Sequence, residues 1–152
     1  AVALLEILVN KQVQQTTQEK QANTSSTSQT LFNLKLLAYE RIILFIERIK
    51  PDSFIPRTLS PSLPYQEYQL LLINEIRKEF EYNLSQQLYL SENAWEVTVN
   101  FKDNIITLIN SAATSCPPQA TAGDLARKIL EHYISSDLKG DQISKIVKAE
   151  IQ

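Results

Sequence analysis

Two short stretches of this sequence carry polar groups at helical spacing. In YERIILFIER (residues 39–48), Glu40-Arg41 returns seven residues later as Glu47-Arg48, and further on Glu79, Asn83 and Gln87 stand four residues apart. Seven residues make almost two helical turns, so Glu40 and Glu47 share one edge of a helix and Arg41 and Arg48 the next. Four-residue steps likewise place Glu79, Asn83 and Gln87 on one face. Amides on a buried face need partners, since an unsatisfied one costs about 1–3 kcal/mol. The four charged residues from the earlier helix are natural candidates. Three uses are open to this network: internal polar links that set helix register, a surface for a partner or for self-association, or the wall of a ligand pocket. Coiled-coil flanking positions use charge to fix register, and the nearest partner for residues 39–48 is the chain's own helix over residues 65–88.

Other chemistry is thinly supported. Two glycines in the whole chain cannot build a glycine-rich phosphate loop. One histidine, His132, excludes two-histidine metal motifs, and one cysteine, Cys116, excludes cysteine-rich zinc sites. Glu-x-x-His, the mark of di-metal carboxylate bundles, occurs nowhere. A Cys116–His132 nucleophile pair has no activating neighbours in sequence, and a bland thiol at a helix end fits better. The matches to Asn-x-Ser/Thr at Asn23 and Asn83 read as accidental. The sequence therefore points to no catalytic, cofactor-binding or metal-binding residues, no cofactor, and a protein that is not an enzyme.

The elements that must position these residues are helical. The chain has 152 residues, 43% apolar and 21% charged, enough for one domain with a sizeable core. A net charge of −2 argues against a nucleic-acid partner, which calls for a basic surface. A single cysteine allows no intramolecular disulfide. Long glycine-free stretches of Leu, Ile, Glu, Lys and Gln favour helices. In residues 31–50, Leu31, Leu34, Ala38, Ile42, Phe45 and Ile49 recur at steps of three and four. Phe32, Leu36, Tyr39, Ile43 and Ile46 widen that stripe, as befits a central helix of a bundle. Pro51 ends it, and a proline-rich loop follows to Pro64.

A second helix, residues 65–88, carries Tyr65, Tyr68, Leu72, Ile76 and Phe80 inward. Ser91 is placed to cap a third, with Glu92 in its first turn. Trp95, Val99, Ile106, Ile109 and Ala113 line one face of that helix, and Val97, Phe101 and Leu108 another. Thr121 and Asp124 have capping-box spacing ahead of a short helix with Leu125, Ile129 and Tyr133 inward and Gly140 just past its end. Ile143, Ile146, Val147 and Ile151 mark a last amphipathic segment. The expected fold is all-α, a bundle of about four to five helices over residues 31–152. An apolar and stalk-like helix (1–22) and a flexible, uncharged linker (23–30), with Thr30 as a cap, precede it.

LKLLAYERIILFIERIKP (residues 34–51) and EFEYNLSQQLY (residues 79–89), followed by Trp95, resemble a family of small bacterial proteins of unknown function. The resemblance covers residues 31–115 well and the rest loosely. It implies one transmembrane helix, then a charged, Gln-rich helical stalk, then a helical domain, and it brings no catalytic residues. AVALLEILVNKQVQQTTQEKQ would then be the end of the anchor plus the stalk. The nine-residue run AVALLEILV, apolar but for Glu6, is too short to span a bilayer, which takes about 20, so residues upstream of Ala1 are expected to complete the anchor. The linker NTSSTSQT is less charged than such stalks.

The sequence thus points to a membrane-tethered helical interaction module, a subunit or accessory factor of a bacterial membrane protein complex or a self-associating scaffold. Lys11 and Lys20 after the apolar start place the domain on the cytoplasmic side of the inner membrane. The rival readings are a soluble regulatory bundle whose first segment packs back on the domain, and a small-ligand-binding bundle with a pocket near Arg41, Glu79, Asn83 and Gln87.

Overall fold

A computed structural model of the chain describes residues 2–138 and 140–151, leaving out the side chains of residues 2, 21 and 22. The ends of the expected segments at Ala1 and Gln152 lie outside the described residues. The fold is all-α, with an isolated bridge between Pro64 and Thr121 but no strand among the described residues. The helices are α1 (Val2–Ile49), α2 (Pro51–Thr58), α3 (Tyr65–Tyr82), a 3₁₀ segment (Leu84–Tyr89), α4 (Glu92–Thr114), α5 (Ala122–Ser135) and α6 (Gly140–Ala149). Counting the 3₁₀ segment, the described residues hold seven helices, more than the four to five expected. The chain divides into two compact units, Ala1–Leu36 and Leu37–Gln152.

The first unit is a helix with no core of its own. Leu4, Leu5, Ile7, Leu8 and Val9 are all exposed. Residues 23–30 are helical here rather than a linker, and Thr30 lies within the helix. The reason is local. Each threonine hydroxyl donates to the carbonyl four residues back: Thr16 to Gln12 at 3.0 Å, Thr17 to Val13 at 2.9 Å, Thr24 to Lys20 at 2.9 Å, Thr27 to Asn23 at 2.8 Å and Thr30 to Ser26 at 2.9 Å. Hydroxyls satisfied in this way no longer compete for backbone N–H groups. Among the described residues no helix is long and apolar enough to cross a membrane; the apolar start gives way to Asn10 and Lys11.

The second unit is built on the last turns of α1. Ala38, Tyr39, Ile42, Phe45, Ile46 and Ile49 are buried, whereas Leu31, Phe32 and Leu34 of the expected stripe fall in the first unit and are exposed. From α3 come Tyr68, Leu72, Ile73 and Ile76, from α4 Phe101, Ile105, Leu108 and Ile109, and from α5 Leu125 and Ile129. The Phe80 ring bridges α1 and α4: it stands 6.0 Å from Phe45 and stacks on Trp95 at 5.4 Å, while the Lys102 ammonium sits 4.0 Å from its centroid. Ser91 caps α4, accepting from the Ala94 N–H at 3.0 Å. Thr121 and Asp124 form the expected capping box of α5.

Three boundaries differ from the sequence expectation. The proline loop is half helical, because Pro51 occupies the first helical position, where its fixed φ suits and its missing N–H costs nothing. Asp52 joins it in the first turn, and Phe54 and Ile55 are buried. Helix α3 stops at Tyr82 instead of residue 88, and Asn83 takes the C-cap with its side-chain amide donating to the Glu79 carbonyl at 2.8 Å. Gly140 does not end α5; it opens α6.

Gly140 is needed there because Lys50 lies across it. A Cβ on Gly140 would sit 2.1 Å from Lys50 Cδ and 2.4 Å from Cγ. The Lys50 ammonium reaches past to Asp141 Oδ1 at 2.7 Å and Glu47 Oε2 at 2.6 Å, and the Ser144 hydroxyl donates to Glu47 Oε1 at 2.9 Å. This clasp ties α6 to the end of α1. At its other end α6 meets the start of α4, where Glu150 accepts from Asn93 Nδ2 at 2.7 Å and from the Ser91 hydroxyl.

Two outcomes follow. Gly→Ala inside a helix is ordinarily favourable by some tenths of a kcal/mol, but Gly140→Ala is expected to destabilise by about 1–3 kcal/mol in urea denaturation, because the pinned Lys50 stem cannot yield. The clasp also sets a pH window. Hydrogen bonds from Lys50 hold Glu47 and Asp141 below the ordinary carboxylate range. Their contribution is present above about pH 4 and is lost as pH falls through their folded values. Burial works against the Lys50 charge, but its bonds to Asp141 and Glu47 outweigh burial and raise its pKa. Its contribution is present below about pH 10.4 and is lost as pH rises through the folded value. Denaturation of wild type across the pH range should show both losses, and Lys50→Met should flatten them.

Candidate functional site

The repeated Glu-Arg pair is divided by the fold. Glu47 belongs to the clasp, whereas Arg48 turns to α3. The Arg48 Nε and Nη2 both donate to Glu79 Oε1, at 3.1 and 2.7 Å, and the carboxylate raises the guanidinium pKa. Arg57, from α2, brings Nη1 to 3.7 Å from the same oxygen, donates Nη2 to the Arg48 carbonyl at 2.9 Å, and lies 5.4 Å over the Phe54 ring. One carboxylate therefore joins α1, α2 and α3. Among the described residues, Glu40 and Arg41 form no ion pair and no side-chain hydrogen bond, and both are exposed.

Beside this junction lies an open groove of about 540 Å³ between α1 and α3. Arg41, Leu44, Phe45 and Arg48 form one wall, and Glu75, Lys78, Glu79, Tyr82 and Asn83 the other. Leu44 and Tyr82 are 59% and 82% exposed, so the groove offers bare apolar surface framed by charges of both signs. Of the seven residues the sequence singled out, Arg41, Arg48, Glu79 and Asn83 meet here. Glu40 and Glu47 do not line the groove. Gln87 does not either: the end of α3 at Tyr82 places it, exposed, on the 3₁₀ segment, so the expected amide ladder runs only from Glu79 to Asn83.

The sequence missed Arg57, Lys50 and Lys102. Arg57 was hidden in an expected loop, although Pro51 followed by Asp52 is a helix-start signal. Lys50 and Lys102 are charged residues drawn into a largely buried setting by particular partners, which no periodicity announces.

The remaining candidates stand apart. Cys116 is half-buried at the end of α4, its thiol turned to the Ala112 carbonyl at 3.7 Å, and burial pushes its pKa up. That disfavours the thiolate a nucleophile needs. His132 lines a separate groove with Asn104, Thr107, Leu108 and Ser111, to which Cys116 does not contribute. Among the described residues no three His, Cys, Asp or Glu side chains are grouped to hold a metal ion. The α1–α3 groove offers shape, apolar contact at Leu44, Phe45 and Tyr82, and charges of both signs.

Glu79→Leu should cost no more than about 1 kcal/mol in urea denaturation, because Arg48 and Arg57 are partly exposed and water can take the place of the carboxylate. Arg41→Ala, removing an exposed side chain without a partner, should stay within about 0.5 kcal/mol.

Residues 1–152 match a family described as a family of unknown function, DUF7935. No curated protein and no solved structure matches the chain.

Proposed function

The chain belongs to the DUF7935 family, and we propose that it works as a non-enzymatic helical interaction module, tethered to a membrane and serving as a subunit or accessory factor of a membrane protein complex. The observation that carries this reading is the α1–α3 groove. Its exposed Leu44 and Tyr82, and an Arg41 without an internal partner, leave apolar area and charge on the surface at one place. Exposed apolar patches rimmed by charge are the ordinary mark of a protein-binding surface. The tether rests on the start of α1, where Leu4, Leu5, Ile7 and Leu8 are 58–69% exposed. Buried in a bilayer or its interface, they would gain about 1.5–3 kcal/mol each. Lys11 and Lys20 just after this segment support a cytoplasmic domain.

A second reading, a small-ligand-binding bundle, draws on the groove's volume of about 540 Å³, which falls in the range of ligand pockets. The two differ in what fills the groove.

The natural gene product, purified from detergent-solubilised membranes, is expected to bring a defined protein partner with it. The double variant Leu44→Glu/Tyr82→Glu should lose that partner while keeping its helical circular dichroism and its melting temperature. Recovery of a partner-free protein from the soluble fraction would overturn the reading. Partner binding unaffected by the double variant would move it away from this groove.

A further inference from the structure

We propose that α6 is a latch, which lifts from the compact unit as one piece while α3, α4 and α5 stay packed on one another. It lies outside the α1–α3 groove and does not depend on what fills that groove.

Three features suit α6 to opening. It has ten residues, under the roughly 12–15 at which an isolated helix begins to hold together in water. Gly140, Asp141, Ser144 and Val147 are poor helix formers, so its helical form depends on its seat. That seat is thinly apolar. Among the described residues of α6, only Gly140, Ser144 and Val147 are buried, and Ile146 is exposed. Helix α4, by contrast, buries Phe101, Ile105, Leu108 and Ile109 and packs on both α3 and α5. Polar ties do the rest, and they sit at the two ends. At the start, Asp141 takes the Lys50 ammonium, the Ser144 hydroxyl donates to Glu47, and the Gly140 N–H donates to the Tyr133 hydroxyl at 3.2 Å. Just past the end, Glu150 takes Asn93 and Ser91.

The groups left behind keep partners of their own. Lys50 retains Glu47, three residues earlier on the same helix, at 2.6 Å. Ser91 still accepts from the Ala94 N–H, and its own N–H still donates to the Tyr39 hydroxyl at 3.2 Å. Opening therefore strands neither the lysine charge nor the cap of α4, which is what makes an unpaired buried group costly. It does bring Lys50, 7% exposed when the latch is shut, into water together with the start of α4. The open state thus presents a face that the closed state covers. Gly140 fixes how the latch shuts, since a Cβ there would collide with the Lys50 stem. Elements that open at low free energy are the ones on which switching movements draw.

Native-state hydrogen exchange on the full chain tests the latch. In wild type the amides of residues 144–149 should exchange together, on the order of a hundredfold faster than those of Ile105, Leu108 and Ile109. Asn93→Ala removes a tie at one end without altering α6 itself. It should speed all of residues 144–149 equally, on the order of threefold or more. Ile76→Val loosens the core in α3, weakening the latched and unlatched forms alike. It should speed Ile105, Leu108 and Ile109 on the order of threefold or more and leave residues 144–149 unchanged. Exchange in α6 no faster than in α4 would overturn the latch. So would an Asn93→Ala effect confined to residues 148–149, which is fraying from one end. Equal speeding of α6 by Ile76→Val would also overturn it, because α6 would then open only when the whole unit unfolds.

Discussion

The packing of α3, α4 and α5 against one another is the constraint on which the rest of the compact unit depends, and residues 38–49 of α1 add their apolar stripe to that core. Ile42, Phe45, Ile46 and Ile49 are almost wholly withdrawn from water, each gaining about 1.5–3 kcal/mol from burial. These positions form a stripe along one side of α1, with Glu40, Arg41, Leu44 and Arg48 exposed on the other. Beside it, α3 supplies Phe80 to Phe45 and Glu79 to Arg48, and α6 supplies Asp141 to Lys50 and Ser144 to Glu47. Polar contacts at the margin then fix where each neighbour sits. Glu79 gathers Arg48 and Arg57, and Lys50 gathers Glu47 and Asp141. Being partly exposed, these pairs add little energy for their number. Their contribution is positional, since hydrophobic contact alone is indifferent to small slides along a helix.

The groove is a by-product of that arrangement. Arg48 and Glu79 draw α1 and α3 together at one point, and α3 ends soon after because Asn83 turns its amide onto the Glu79 carbonyl. In the groove beside that junction Leu44 and Tyr82 remain in water. The same two residues that close the core on one side therefore leave an opening on the other. The polar link and the open groove are therefore neighbours in one network, sharing Arg48 and Glu79. Arg41, one heptad before Arg48, is left over because α3 offers it no carboxylate at hydrogen-bonding distance.

Much of the fold was legible in the sequence because it rests on periodicity and local caps. The buried stripes of α3, α4 and α5 follow three-four spacing, and Ser91 and Thr121-Asp124 cap where their side chains can reach the first free N–H groups. The errors came where local signals compete. Threonine and serine in residues 23–30 suggested a linker, but back-bonding to carbonyls four residues away lets them lie in a helix. Prolines at 51 and 56 suggested a loop, yet the first is a favourable helix start. Gly140 resembled a helix stop, and its small size is instead required by a lysine from a distant part of the chain.

By itself, the sequence determined the helical class, much of the apolar face of α3 and α5, and the heptad return of Glu40-Arg41 as Glu47-Arg48. These depend on spacing along one helix, which is a local property. Only the tertiary structure decided what each charge does: that Arg48 joins three helices through Glu79, that Glu47 shares Lys50 with Asp141, and that Arg41 stays unpartnered beside an open groove. Those outcomes depend on which side chains from distant segments arrive within about 3 Å of one another. That distance is set by how the buried faces pack, and no single helix carries it in its own pattern.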